Sequence, residues 1–547
     1  MDLTPAAKTL LDERYLLPHE TPDRLFGRVA GAVDTRWENE FLHVMKALLF
    51  IPNSPTLMNA GTARGQLSAC FVLPVEDSLQ GIFSSLATMA LIHQSGGGTG
   101  FSFSRLRPGG DPVSSNAGAA SGPLPFIRVF DEATTAVKQG GKRRGANMAV
   151  LASSHPDIMD FIGAKREGGL KNFNLSVGFD AGFFRCLDHG LPYDLVSPRD
   201  GSVRESIDAR NLWRYLGSAA WQCGDPGALF LDTINAENTV PGLGNIEATN
   251  PCGEQPLLPY ESCNLGSVNL SRCIRKGELD EELVQDVTNL GVRFLDAVID
   301  INRFPVPKIR RMTLLTRKIG LGIMGLADAL ILMGIPYCSG EALRFADRTM
   351  AIVSREAQAA SRGLGEEKGS FPAIDRSIYS GAMRNATVTT IAPTGSLHII
   401  AGTSSGIEPL FSLAGTRLIG TRQVTFIHPF LKNYLKTLSS GRDILNEVKR
   451  TGTLASAPVP ETIKELYRTA MEIPPDHHVR MQAIVQRHVD SAVSKTVNLP
   501  EDAGVDEICR IFMLARSLRC KGVTVYRYNS RKDQVLSHGC GMCRVDA

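Results

Sequence analysis

Between residue 51 and about residue 530 no low-complexity linker interrupts the chain, and short apolar runs alternate with longer helical patterns throughout. Ala149-Val150-Leu151 and Asn174-Leu175-Ser176-Val177 have the length and character of buried strands. Strands that alternate with helices bury both faces of a mostly parallel sheet, because each crossover helix covers the face over which it returns. The pattern predicts an α/β fold. Its clearest helix spans 281–302, where Leu283, Val287, Leu290, Phe294 and Val298 form an apolar stripe. Ahead of residue 51 the pattern is helical, with Phe41, Val44, Met45, Leu48 and Leu49 at helical spacing until Ile51-Pro52-Asn53-Ser54-Pro55 breaks it. Residues 1–50 are therefore expected to form a helical cap and 51–530 the α/β body. Residues 531–547, which include Ser537-His538-Gly539-Cys540-Gly541-Met542-Cys543, are expected to be a flexible tail.

Composition removes several classes of function. The chain is 43% hydrophobic and 21% charged, ordinary globular values, with no uninterrupted apolar stretch of membrane-spanning length and no basic-then-apolar leader at Met1-Asp2-Leu3-Thr4-Pro5. A cytoplasmic protein without a membrane partner is expected. Lys and Arg number 59 against 56 Asp and Glu, so the basic footprint of a duplex-binding protein is absent, while small nucleotides stay open. Eleven cysteines in such a chain do not read as a secreted disulfide framework, and any disulfide should be catalytic and transient. Cys186, Cys223, Cys273, Cys338, Cys509 and Cys520 read as small buried apolar residues. The other five stand in unusual settings.

Gly320-Leu321-Gly322-Ile323-Met324-Gly325 matches the dinucleotide pattern G-x-G-x-x-G, with Glu341 at a suitable distance. The preceding Thr316-Arg317-Lys318-Ile319 makes a poor buried first strand, so the glycines are read instead as a closely packed strand-to-helix turn. Gly96-Gly97-Gly98-Thr99-Gly100 and Gly140-Gly141-Lys142-Arg143-Arg144-Gly145 could admit phosphates to backbone N–H groups beside a cation, or could be surface turns. The sharpest local signal is Asn250-Pro251-Cys252-Gly253-Glu254. In an extended segment the amide, the sulfur and the carboxylate would share a face. They could then orient a sugar hydroxyl, take a hydrogen atom and accept a proton at one substrate. By spacing alone, Cys263 in Ser262-Cys263-Asn264-Leu265-Gly266 and Cys70 in Ser68-Ala69-Cys70 read as core cysteines. Cys540 and Cys543 form a C-x-x-C pair; a structural zinc site needs four ligands and no second such pair exists, so a redox dithiol is expected and a metal is not.

Taken in order, Asn53-Ser54-Pro55-Thr56, Ser68-Ala69-Cys70, the pentad at 250–254, Cys263, Ala392-Pro393-Thr394-Gly395-Ser396 and Ser405-Gly406-Ile407-Glu408-Pro409 carry a family resemblance. The chain resembles the catalytic subunit of ribonucleotide reductases, most closely the adenosylcobalamin-dependent class, over residues 15–530. The resemblance implies a ten-stranded α/β barrel, built of two five-stranded parallel halves antiparallel to each other, with a central finger loop. It implies that Cys252 is the thiyl-radical residue, Asn250 a ligand of the sugar hydroxyls, Glu254 the general base, and Cys70 with Cys263 the pair oxidised to a disulfide. Ser54, Ala69, Gly98, Thr394, Gly395, Ser396 and Leu397 match substrate-contacting positions. Asp77, Ser78, Leu79 and Arg107 match the site of a deoxynucleoside triphosphate effector, with Lys142, Arg143 and Arg144 on the loop that links effector to substrate.

The class rests on further residues. Members that receive the radical from a second subunit carry two adjacent tyrosines late in the barrel, whereas this chain reads Val525-Tyr526-Arg527-Tyr528. The glycyl-radical class ends in an Arg-Val-x-Gly-Tyr type segment, which Cys543-Arg544-Val545-Asp546-Ala547 does not match. The resemblance thus implies adenosylcobalamin as cofactor, diphosphate substrates, a thioredoxin-like or glutaredoxin-like reductant acting through Cys540 and Cys543, and a homodimer. The alternatives are a catalytic subunit served by a radical-generating partner, and an inactive nucleotide-binding regulator that has kept the barrel.

Overall fold

A computed structural model describes residues 3–113, 118–137, 145–166, 168–420 and 422–530, together with the backbone of 539–544. The chain opens with helices α1 (Pro5–Arg14), α2 (Pro22–Val33) and α3 (Glu38–Lys46). The first two begin at Thr4-Pro5 and Thr21-Pro22, where the threonine hydroxyl accepts an N–H of the first turn and proline occupies a position that needs no N–H. Leu25, Phe26, Val29, Ala30 and Val33 line one side of α2 and are buried. The expected helix at 281–302 is α4 (Glu281–Ile301). It buries Val287, Phe294 and Val298, whereas Leu283 and Leu290 lie at the margin.

Ten strands form the main sheet. They are β1 (Phe50–Pro52), β2 (Cys70–Pro74), β3 (Gly98–Ser102), β4 (Asn147–Ala152) and β5 (Phe173–Phe179). Then follow β6 (Gly227–Phe230), β7 (Ser262–Asn269), β8 (Ile319–Met324), β9 (Thr496–Leu499) and β10 (Gly522–Arg527). The two runs expected as strands lie within β4 and β5. Strands β2 to β6 are parallel in sequence order, a five-stranded group. The second group holds two parallel ladders, β7 with β8 and β9 with β10. Single parallel bridges, Leu321 to Thr389 and Ile391 to Val493, continue the pairing between them. The groups meet antiparallel at both borders, β2 against β7 and β6 against β10.

Two large cores pack on the sheet. The N-terminal helices and α4 pack with β7 and β8 in one core, which includes Phe41, Phe50, Phe294 and Leu321. A second core covers the β2 to β6 group, reaches Val497 of β9 and Val523 of β10, and is rich in aromatics, among them Phe101, Phe130, Phe179, Phe183 and Trp213. Cys273 and Cys520 are buried as expected, while Cys186, Cys223, Cys338 and Cys509 are only partly so. Among the described residues no helix is long and apolar enough to cross a membrane.

The closely packed strand-to-helix passage expected at 320–325 is present, with most of the run in the strand. Gly320 and Gly322 lie inside β8, and only Gly325, at φ +80°, makes the turn into the next helix. A Cβ on Gly322 would sit 2.1 Å from the Thr390 carbonyl oxygen, so the glycines allow a second backbone to pass against the strand. The strand that seemed missing is the glycine run itself. In the tail, Gly539–Arg544 is a strand whose backbone pairs parallel with Ala414–Ile419; 531–538 and 545–547 lie outside the described residues.

Candidate active site

A finger enters between the two strand groups. Ala248–Thr249 and Pro256–Leu257 pair antiparallel, and the chain reverses between them at Asn250 to Gln255. The Gly253 N–H donates to the Asn250 carbonyl at 3.1 Å and the Gln255 N–H to the Asn250 side-chain oxygen at 2.9 Å. With Pro251 in the loop and Gly253 at φ +81°, this is a tight turn, not the extended segment in which Asn250, Cys252 and Glu254 would share a face. Convergence comes instead from the turn itself.

The finger is held from both groups. On one side Asn174 of β5 donates to the Pro251 carbonyl at 2.9 Å, and a Cβ on Gly100 of β3 would stand 1.7 Å from the Thr249 carbonyl oxygen, so only glycine lets the finger pass. On the other side the Glu254 carbonyl accepts from the Thr390 hydroxyl and the Ala492 N–H, both at 2.9 Å.

Beneath the finger the antiparallel border of β2 and β7 places Cys70 directly opposite Cys263. Cα atoms so paired are about 4.5–5.5 Å apart. A disulfide needs about 4.4–6.8 Å. Both thiols are free and buried. Asn250 Nδ2 donates to Cys70 Sγ at 3.1 Å, and the Cys70 thiol points at Glu254 Oε1, 3.8 Å away. Cys252, at the finger tip, is exposed.

Burial dominates the electrostatics here. It pushes the Glu254 carboxyl up to about 7, against hydrogen bonds from Asn250 and Cys70 that favour the anion. Glu254 Oε2 is buried without a hydrogen-bond partner. Burial also pushes the Cys70 thiol up, with the nearby Glu254, Cys263 and Cys252 adding to the effect, and it pushes the Cys263 thiol up despite the Lys318 charge. The arrangement keeps two protonated thiols beside a carboxyl poised near neutrality. That set can deliver two electrons and exchange one proton at a single substrate.

The remaining candidates fall into two groups, at opposite ends of β2 and β3. Ala69 and Gly98 lie at the starts of these strands and are joined by a Gly98 N–H to Ala69 carbonyl bond of 2.8 Å. Ser54, at the start of a short helix, shares a 2.7 Å hydrogen bond with the Tyr15 hydroxyl of the N-terminal helical segment. Thr394, at φ +49°, accepts from the Gly406 N–H at 2.9 Å, and Ser396, leading into Leu397–Ala401, has a buried hydroxyl without a partner. Gly395 lies between them in the same turn. Thr390, which holds the finger at the Glu254 carbonyl, shortly precedes this loop in the chain. Past the other ends of the strands, Ser78 caps helix Leu79–Gln94 and Asp77 meets Arg107, Nε to Oδ2 at 2.9 Å. Burial alone would raise the Asp77 carboxyl; the Arg107 bonds and charge outweigh it and hold it below its usual range. Five strand residues, on the order of 15 Å, separate the two ends. Lys142, Arg143 and Arg144 lie outside the described residues, as do the side chains of Cys540 and Cys543.

Comparison with known proteins settles the family. "Ribonucleotide reductase, all-alpha domain" matches residues 1–65, and "Ribonucleotide reductase, barrel domain" matches 68–383 and 374–526. The chain belongs to the ribonucleotide reductase large-subunit family. Relatives named vitamin B12-dependent ribonucleoside-diphosphate reductase occur in Mycobacterium tuberculosis and Thermoplasma acidophilum. The first is 49% identical over 98% of this chain and 80% of its own length; the second is 49% identical over 94% and 68%. A solved structure, the Actinobacillus ureae class Id ribonucleotide reductase alpha subunit, superposes with a TM-score of 0.81 at 22% identity, covering 96% of this chain and 97% of that one. It supports the reductase fold alone.

Within this reductase fold the structure brings together all five residues expected at the reacting centre. It also reveals partners that sequence reading passed over: Asn174, Thr390 and Gln255 around the finger, the buried ion pair Lys318–Glu261, and the half-buried pair of Lys495 with Glu408. Glu408 stood in a quoted motif without a role. Here it accepts the Thr496 N–H at 2.7 Å, tying the turn after the Thr394 loop to β9. Glu261 carried one readable signal, its place two residues before Cys263 on what proves to be the same face of the chain.

Proposed function

We propose that this chain reduces ribonucleoside diphosphates to 2′-deoxyribonucleotides by thiyl-radical chemistry in the adenosylcobalamin-dependent manner of its relatives. The observation that carries the reading is the Cys70 and Cys263 dithiol, in register across the β2–β7 border, under a finger that presents Cys252 and touches Cys70 through both Asn250 and Glu254. Balance requires the dithiol: ribonucleotide and two thiols become deoxyribonucleotide, water and a disulfide.

Each residue then has a step. The Cys252 sulfur, as a thiyl radical, takes the 3′-hydrogen of the ribose. Asn250 orients the hydroxyls and Glu254, half ionised near pH 7, receives the 3′-hydroxyl proton. The thiols of Cys70 and Cys263, kept protonated by burial, supply the hydrogen and electrons as the 2′-hydroxyl leaves as water. Ser54, Ala69, Gly98 and the loop Thr394 to Leu397 hold the nucleotide, and the unpartnered Ser396 hydroxyl offers a donor to phosphate.

The finger tip fits a large cofactor. Cys252 is exposed there, and a Cβ on Gly253 would meet nothing within 4 Å. Adenosylcobalamin, when bound, would supply the radical chemistry that activates the Cys252 thiol, and Cys252 and Gly253 at the finger tip are the residues that would meet it. Tyr526 and Tyr528 are not adjacent, which disfavours relay from a second subunit.

Asp77, Ser78, Leu79 and Arg107, with Lys142, Arg143 and Arg144, bind a deoxynucleoside triphosphate, whose phosphates draw Arg107 from Asp77. Helix Leu79–Gln94, which starts at this site, exposes Leu79, Phe83 and Leu91, and nearby Val129 is exposed on Pro123–Ala136; this apolar face suits a homodimer. The chain works in the reducing cytoplasm, where its eleven cysteines would stay reduced outside the catalytic cycle. Cys540 and Cys543 relay electrons from a thioredoxin-like or glutaredoxin-like reductant. Turnover of CDP with adenosylcobalamin and dithiothreitol, with no second protein, tests the reading; activity only after addition of a radical-generating subunit would overturn the cobalamin assignment.

A further inference from the structure

The buried pair of Lys318 and Glu261 has no part in the chemistry assigned above, yet it lies against one of the two sulfurs. β7 and β8 are parallel with Asn264 opposite Ile319, so one residue earlier Lys318 stands beside Cys263. Side chains alternate faces along a strand, which places Glu261, Cys263 and Leu265 on one face and Lys318 with Gly320 on one face. These are the same face. A Cβ on Gly320 would meet Leu265 and the finger residue Gln255. Arg317 turns the other way, to Asp296 and Asp300.

Lys318 Nζ donates to Glu261 Oε2 at 2.8 Å, and the Leu258 N–H at 2.7 Å and the Thr316 hydroxyl at 2.8 Å fix the same carboxylate. The lysine and glutamate side chains are 2% and 0% exposed. The Cys263 thiol donates to the Asn264 carbonyl at 3.4 Å, so in the reduced protein it makes no demand on the ammonium. Among the charged groups acting on Cys263, Lys318 alone favours its thiolate, while Glu261 and Glu254 oppose it. Cys70 is the sulfur turned toward the finger, against Asn250 and Glu254, whereas Cys263 lies against the ion pair.

We propose that Lys318, held by Glu261, is a positioning residue for re-reduction: it receives the Cys263 thiolate released when an incoming thiolate attacks the disulfide at Cys70. The proposal rests on the assignment of Cys70 and Cys263 as the redox pair. In the first step a dithiol's thiolate bonds to Cys70 Sγ, the Cys70–Cys263 bond breaks, and its electron pair stays on Cys263 beside Lys318. In the second, the other thiolate of the reductant displaces Cys70, closing the reductant's disulfide. Two electrons and two protons pass from reductant to protein. A leaving sulfur with a stabilised thiolate departs faster, so direction and rate both follow from the cation's place.

Two measurements test this. Oxidised wild-type protein is mixed with 2-mercaptoethanol, quenched in acid at short times and peptide-mapped by mass spectrometry. The mixed disulfide is expected on Cys70, and its appearance on Cys263 would overturn the proposal. Reduction by dithiothreitol is then timed by acid quench for wild type, Lys318→Arg and the neutral double variant Glu261→Gln/Lys318→Gln. The double variant should be about tenfold slower, with Lys318→Arg restored to within about threefold of wild type. Wild-type speed in a folded double variant would sink the idea, and if that variant does not fold, the wild-type adduct map decides alone. Whether one round of CDP reduction forms the Cys70–Cys263 disulfide is read separately, so failure of the redox-pair assignment is distinguishable from failure at Lys318.

Discussion

Replacing Glu254 with glutamine should disable the protein and, above neutral pH, stabilise it. Burial lifts this carboxyl from 4.5 to about 7, so the folded state holds its proton more tightly than the unfolded chain does. A raised carboxyl contributes its full stability below the unfolded value, and that contribution is lost as pH rises through the folded one. Integrated with about 1.36 kcal/mol per pKa unit, the wild type gives up about 1 kcal/mol by pH 5.5 and about 3 kcal/mol by pH 8.5. Glutamine does not titrate, so the stability of Glu254→Gln relative to wild type should improve by about 2 kcal/mol between those two pH values. For 547 residues at about 2.1 cal/mol/K each, the unfolding entropy is about 1.1 kcal/mol/K, and the relative gain is about 2 °C in Tm. Calorimetry of both proteins at pH 5.5 and 8.5 reads it directly. In the wild type kcat/KM should rise with pH along an acid limb centred near 7, and the variant should lose about 10²–10⁴ in rate at every pH. An identical Tm difference at the two pH values, or near-wild-type turnover in the variant, would refute the reasoning.

Cys252→Ala should abolish deoxynucleotide formation while leaving effector affinity near normal, as read by product assay and equilibrium binding; measurable multiple turnover would remove the thiyl assignment. Arg107→Ala should weaken deoxynucleoside triphosphate binding about 10- to 100-fold through loss of a charge-assisted phosphate contact, and should flatten the choice among substrate bases; an unchanged effector response would place that site elsewhere. The Cys540→Ser/Cys543→Ser double variant should lose multiple turnover with thioredoxin yet keep it with dithiothreitol, and equal activity with both reductants would eliminate the tail shuttle.

Residue order alone determined the type of several elements, because the periodicity of apolar residues along a short stretch reports directly which face is buried. It was enough for β4, β5 and α4, and it marked the pentad at 250–254 as a pattern without revealing its turn. The ordered motifs singled out Cys70 and Cys263 only through family resemblance, since their spacing alone would have left them in the core. How these parts meet follows from contacts between segments far apart in the chain. The Cys70–Cys263 register depends on two strands distant in the chain that meet at the border of opposed groups. The convergence of Asn250 and Glu254 on Cys70 arises from a turn and not from an extended run. Asp77 and Arg107 close on each other, and Lys318 comes beside Cys263, only once β2, β3, β7 and β8 are aligned. The physical reason is one of range: helix and strand patterns arise among near neighbours, whereas register between distant strands is set by the packing of the whole sheet and of the finger that its glycines admit.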